Sequence, residues 1–171
     1  MIDNRMRAIH VEKVVVNTGV GEAGEKLQKA GKVLEMVTGQ KALTTVSTHT
    51  IRDWGIRRNM PIGVKVTLRG GAADTFLRRA LEIRNNRLPA YSFDPRGNFS
   101  FGIADYTDFE GMKYDPEIGV VGMDVSVALQ RPGYRVARRR LRRRTIPSSH
   151  RVTRAESIAF IRATYNVEVV E

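Results

Sequence analysis

The stretch MPIGVKVTLRG, residues 60–70, decides the fold class. Ile62, Val64, Val66 and Leu68 fall at every second position, with Gly63, Lys65, Thr67 and Arg69 between them. That period of two is the mark of a β-strand with one apolar face and one polar, basic face. A strand covered on both sides would be apolar throughout. The pattern therefore predicts an antiparallel sheet with one open side.

Working outward, AIHVEKVVVNTG (8–19) is a second strand, with Val14 and Val16 facing one way and Lys13, Val15 and Asn17 the other. Residues 24–38 carry Leu27, Ala30, Val33, Leu34 and Val37 on one helical stripe, and Gly39 is a natural stop. QKALTTVS (40–47) predicts a short strand. THTIRDWGIRRN (48–59) predicts a loop or hairpin tip bearing Arg52, Arg57, Arg58 and the single tryptophan, Trp54. A second helix is expected over 72–86, with Pro89 beyond its end. FDPRGNFSFGIAD (93–105) is a turn leading into a strand on which Phe99, Phe101 and Ile103 alternate. Residues 106–121 are rich in turn signals. GMDVSVALQ (122–130) alternates again, with Met123, Val125, Val127 and Leu129 inward. Thr153 and Glu156 have the spacing of a capping box that opens a last helix over 154–164, and VEVV is expected as a terminal edge strand. No repeat and no linker interrupts the chain. The expectation is one α+β domain over 1–171, an antiparallel sheet with helices on one face and the other face open.

The net charge of +11 is unevenly spread. Ten arginines and no Asp or Glu lie between residues 131 and 154, which leaves about +1 for everything else. Six of the ten are Arg138, Arg139, Arg140, Arg142, Arg143 and Arg144, interrupted by Leu141 alone. The protein is thus expected to be a nearly neutral globule with a basic insertion at about 131–152, and its partner a polyanion. A nuclear address would need no folded context, whereas this run lies between a strand and a capped helix. A membrane patch would need more apolar anchors than Val136 and Leu141. Arginine in place of lysine suits bidentate contact with phosphate, so the insertion is expected to be an arm on RNA.

Other chemistry is thin. With no cysteine, disulfides and thiolate metal sites are excluded. The N-terminal MIDNRMRAIHVEK lacks the apolar middle of a signal peptide, and no apolar run is long enough to span a membrane. His10, His49 and His150 are scattered and show no ligand spacing, so no metal and no cofactor are expected. Asp105, Asp108, Glu110 and Asp115 form a small acidic group best read as solvated or loop-capping. GVGEAG (19–24) fits the glycine-rich fingerprint of dinucleotide sites and sits between a strand and a helix. Glu22 would repel the pyrophosphate, and no ribose-binding acid ends the next strand, so a plain turn is the better reading. No nucleophile motif occurs, and no small-molecule substrate is expected.

The polar strand face, with Lys65, Thr67, Arg69 and Asn17, has the donors and acceptors that read a shaped RNA through 2′-hydroxyls, base edges and phosphates. Trp54 with its neighbouring arginines offers either a stacking surface or a plug for its own loop.

Five segments then occur in a familiar order: KVVVNTGVGEA (13–23), TGQKALTT (38–45), GIRRNMPIGVKVTLRG (55–70), DPRGNFSFGI (94–103) and YDPEIGVVGMDVSV (114–127). Together they resemble the universal ribosomal protein L-five family. RPGYRVARRR followed by HRVTRAESIAF is similar to its archaeal and eukaryotic branch, since the bacterial form lacks such a basic insertion. The resemblance implies a non-enzymatic constituent of the large ribosomal subunit in the cytoplasm, which binds 5S rRNA on an open sheet face and helps form the central protuberance. It implies RNA contacts at Asn17, Gln40 and Thr67. It also implies that the tip with Arg52, Trp54, Arg57 and Arg58 reaches the elbow of tRNA in the peptidyl site. Large-subunit rRNA and neighbouring ribosomal proteins, including one of the small-subunit head, are the further partners implied. The alternatives are a free-standing RNA-binding module or chaperone, and a nucleotide-dependent enzyme.

Overall fold

The computed structural model describes residues 4–170. In chain order its elements are β1 His10–Gly19, α1 Glu25–Thr38, β2 Leu43–Val46, β3 Pro61–Leu68, α2 Gly71–Ile83, β4 Arg87–Pro89, β5 Phe99–Ile103, β6 Met123–Gln130, α3 Arg154–Tyr165 and β7 Glu168–Val170. Five strands form an antiparallel sheet in the order β2-β3-β1-β6-β5. The class is α+β, as the alternating strands predict.

The register stacks the apolar positions of neighbouring strands on one face. Val14 lies opposite Leu68 and Val127, and Val16 opposite Val66 and Val125. Phe99, Phe101 and Ile103 continue the rows against Val127, Val125 and Met123. All of these side chains are buried. The helical stripes cover them: Leu27, Ala30, Val33, Leu34 and Val37 of α1, and Ala73, Phe76, Leu77, Ala80 and Leu81 of α2. Burial of each large side chain contributes roughly 1.5–3 kcal/mol, which is why this face rather than helix propensity fixes both helices.

The third helix, α3, opens on the expected capping box: the Thr153 hydroxyl accepts from the Glu156 amide and the Glu156 carboxylate accepts from the Thr153 amide. It packs beside α2, where the Tyr165 hydroxyl donates to Asp74 Oδ1 at 2.8 Å. Its first turns dock on the 94–98 turn. Ser157, fully buried, donates to the Gly97 carbonyl at 2.7 Å. Gly97 has φ +77°, and a Cβ there would fall 2.7 Å from Val152 Cγ1, so turn and helix fit only without a side chain.

The structure departs from the sequence reading at the elements held by distant partners. Helix α2 stops at Ile83, not 86, because Asn85 and Asn86 both take φ +53°. Residues Arg87–Pro89 form β4, which pairs in parallel with β7 as a separate two-stranded sheet. The VEVV strand therefore exists, with a partner that the sequence did not suggest. Strand β2 spans Leu43–Val46 alone, so Gln40 precedes it in a loop.

Candidate RNA-binding face and basic arm

In an antiparallel pair, directly opposed residues point to the same side. The register therefore puts Asn17 beside Lys65 and Asp124, and Val15 beside Thr67 and Ser126. Strand β5 adds Gly102 and Ser100 to the same rows. This is the face opposite α1 and α2. Thr67 is exposed, and Asn17 and Lys65 are half-buried by their neighbours. Segment 84–92 rims the face beyond β5. A cleft of about 610 Å³ opens there, lined by Asn17, Asp124, Ser126, Ser100, Arg84 and the exposed Tyr91.

Of the expected face residues, the structure brings Asn17, Lys65 and Thr67 together. Gln40 lies in the exposed loop before β2, where its amide and carbonyl face the Thr38 hydroxyl, each at 3.4 Å. Since Leu43 pairs with Lys65, that loop sits toward the Leu68 end of β3. Arg69 lies past the last residue of β3, and its guanidinium is 3.5 Å from Glu12 Oε1. Asp124, Ser126 and Ser100 were missed as face residues, although the alternation in GMDVSVALQ places Asp124 and Ser126 outward as plainly as it places Val125 inward.

The tip projects from the opposite end of the sheet, where β2 runs into β3. An Ile51–Ile56 bridge closes it around the 3-10 turn Arg52–Trp54. Arg52, Arg57 and Arg58 are exposed, and Trp54 is 73% exposed, so the indole does not plug its own loop.

The basic segment leaves β6 beside the start of β1, at the Arg69 end of the sheet. It folds back on the protein in short 3-10 turns, Tyr134–Ala137 and Ser148–His150. Arg131 is buried and lies 2.6 Å from Glu156 Oε1. The Thr153 amide bond to the Glu156 carboxylate, with Arg131 beside it, holds that carboxyl below its ordinary range against the opposing effect of burial. The Tyr134 hydroxyl accepts from the Val152 amide at 3.2 Å, and His150 Nε2 lies 2.9 Å from the Pro132 carbonyl. His150 is thus part of the arm's base. Further out, Arg138 donates to Glu12 and, at 3.0 Å, to Gln130 Oε1. Arg139 Nε donates to the Arg142 carbonyl at 2.9 Å. Arg140, Arg142, Arg143 and Arg144 are exposed, and their guanidiniums meet no protein acceptor among the described residues.

Glu12 was not anticipated. The β1–β6 register shifts between Val11 and Lys13, which makes Glu12 the extra residue of a β-bulge. Its side chain is only 8% exposed and meets both Arg69 and Arg138. Asp105 and Asp115 do cap loops, each accepting from the backbone amide two residues on. In the GVGEAG turn, the Val20 and Gly21 amides both donate to the Ile62 carbonyl, at 3.0 and 2.8 Å. A phosphate would find them occupied. Among the described residues, no helix is long and apolar enough to cross a membrane.

The family model described as ribosomal protein L5 matches residues 4–57, and the model of the same ribosomal family's C-terminus matches residues 61–160. A protein of Thermoplasma volcanium named large ribosomal subunit protein uL5 is 52% identical over 168 residues, covering 98% of this chain and 99% of that protein. Proteins of the same name from Sulfurisphaera tokodaii (52% identical, 98% of this chain and 96% of that one) and Methanococcoides burtonii (48%, with 98% and 99%) match along the same span. The chain belongs to the ribosomal protein L5 family, and is a structural, non-enzymatic ribosomal protein.

Proposed function

We propose that this protein is a constituent of the large ribosomal subunit in the cytoplasm that binds 5S rRNA on its open sheet face and helps form the central protuberance. The observation that carries the reading is the row Asn17, Lys65 and Thr67 on a sheet face that α1 and α2 leave uncovered, in a chain whose relatives are large-subunit proteins. Amide and hydroxyl groups on a rigid sheet donate to and accept from 2′-hydroxyls and base edges, while Lys65 neutralises phosphate. Gln40 and Arg69 extend this surface at one end. Arg138, Arg139, Arg140, Arg142, Arg143 and Arg144 add charge there that tightens the grip on 5S or large-subunit rRNA without choosing a sequence. At the other end, the tip with Arg52, Trp54, Arg57 and Arg58 is free to meet tRNA in the peptidyl site, and the exposed indole is available to stack on a base. Neighbouring ribosomal proteins, including one of the small-subunit head, complete the set of partners.

Filter binding to 5S rRNA, with 16S rRNA fragments as competitor, tests the reading. Thr67→Ala and Gln40→Ala are each expected to weaken binding by about 1–2 kcal/mol, the loss of one hydrogen bond buried in the complex. Unchanged affinity in both variants would mean that RNA binds elsewhere.

A further inference from the structure

The folded arm encloses a cleft of about 500 Å³ against the end of the sheet. Its floor and walls include Ala128, Leu129, Ala137 and Ile146, and its rim carries Lys13, Arg96, Arg138, Thr145 and Arg151. The volume lies within the range of roughly 300–1,000 Å³ usual for small-ligand sites. The charge is one-sided. Glu12, the carboxylate on its lining, is already shared between Arg69 and Arg138. Lys13, Arg96 and Arg151 have no carboxylate partner among the described residues. Arg151 is fixed through Nε, which donates to the Ile146 carbonyl at 3.3 Å, so its terminal nitrogens remain available. Lys13, Asn98 and Ala128 also line a second cleft of about 300 Å³ that continues across the open face past Val15, Ser100 and Ser126. A strand lying on that face would run directly under the arm.

We propose that this cleft is a separate RNA subsite, which takes one splayed-out nucleotide. Lys13, Arg96 and Arg151 hold its phosphates, and the base lies against Ala137, Ala128 and Ile146. The apolar walls are what distinguish it from a simple basic surface. Phosphate contacts need only cations, whereas an unstacked base needs an apolar surface to replace its neighbours in the stack. The subsite rests on the RNA-binding reading, and extends it from the open face to the end of the sheet under the arm.

The probe is a fluorescein-labelled tetrauridylate, read by anisotropy with the full-length protein, alongside filter binding to 5S rRNA. Ala137→Trp fills the cleft without changing charge. Arg96→Glu reverses one rim charge on an exposed turn, where the side chain makes no ion pair among the described residues. Lys32→Glu on α1 is the charge-matched control. Both cleft variants are expected to weaken tetrauridylate binding roughly tenfold, with the control within about twofold of the parent. If Ala137→Trp leaves tetrauridylate affinity intact, the arm acts as an electrolyte surface alone and the subsite is wrong. Equal losses for Arg96→Glu and Lys32→Glu overturn it too, and do so even if Ala137→Trp disturbs the arm. Gln40→Ala, in the loop before β2 and outside both clefts, separates the two readings. It is expected to lower 5S rRNA affinity while leaving tetrauridylate binding unchanged. Cleft-dependent tetrauridylate binding without 5S rRNA binding would sink the main reading and leave the subsite standing.

Discussion

Glu12 shows how one residue can set the position of a whole segment. Burial pushes its carboxyl up, but Arg138, Lys13 and Arg69 outweigh that effect and leave it below its ordinary value of 4.5. A carboxyl with a lowered folded pKa stabilises the fold above its unfolded pKa, and the contribution disappears as pH falls through the folded value. Both arginines are more than half exposed, at 58% and 53%, so screening reduces what the pairs contribute. Glu12→Gln is expected to destabilise the protein by about 1 kcal/mol at neutral pH, the upper end for a partly screened pair. In urea unfolding, parent and variant should converge over the acid window that opens as pH falls below 4.5. A difference that persists unchanged through this window would show that the ion pairs contribute nothing. The sequence made Asn17 and Thr67 legible because strand period alone assigns them to a face. It could not reveal Glu12, because a bulge is an event of pairing between β1 and β6 and leaves no periodic mark in either.

At the scale of elements, the arginine arm divides into two functional classes. Arg138 and Arg139 are engaged by the protein itself, one by Glu12 and Gln130, the other by the Arg142 carbonyl. Arg140, Arg142, Arg143 and Arg144 point their guanidiniums at solvent. Replacing Arg140, Arg142 and Arg143 by glutamine is therefore expected to flatten the salt dependence of 5S rRNA binding by about two to three units of slope. Arg138→Gln alone should change the slope by about one unit or less, yet make the arm more sensitive to trypsin, since its tether is lost. Equal effects per arginine would contradict the division. The same scale shows where sequence reasoning stops. The capping box of α3 was legible because both partners lie three residues apart. The β4–β7 pair was not, because each strand has three residues and its partner is some eighty positions away. The composition located the arm, but only the contacts of Tyr134, His150 and Arg131 show that it is folded.

At the scale of the molecule, the strand order carries a further consequence. The matched family segments divide the chain between residues 57 and 61, yet β1 from the first segment lies between β3 and β6 from the second. Its Val14 and Val16 are wholly buried between Leu68, Val66, Val127 and Val125. Helix α1 of the first segment and α2 of the second share one layer over the same core. Neither segment can bury its own strands without the other. We therefore propose that residues 4–170 unfold as a single cooperative unit. Far-UV circular dichroism follows the helices and the sheet, while tyrosine absorbance follows the buried Tyr106 and Tyr165, which sit at different places in the core. The two signals are expected to give coincident urea transitions with one midpoint. A peptide of residues 1–57 alone should show no cooperative transition, because its central strand would expose both edges and its apolar face. Two resolved midpoints, or a cooperative transition in that peptide, would mean that the chain is two folding units joined at the tip.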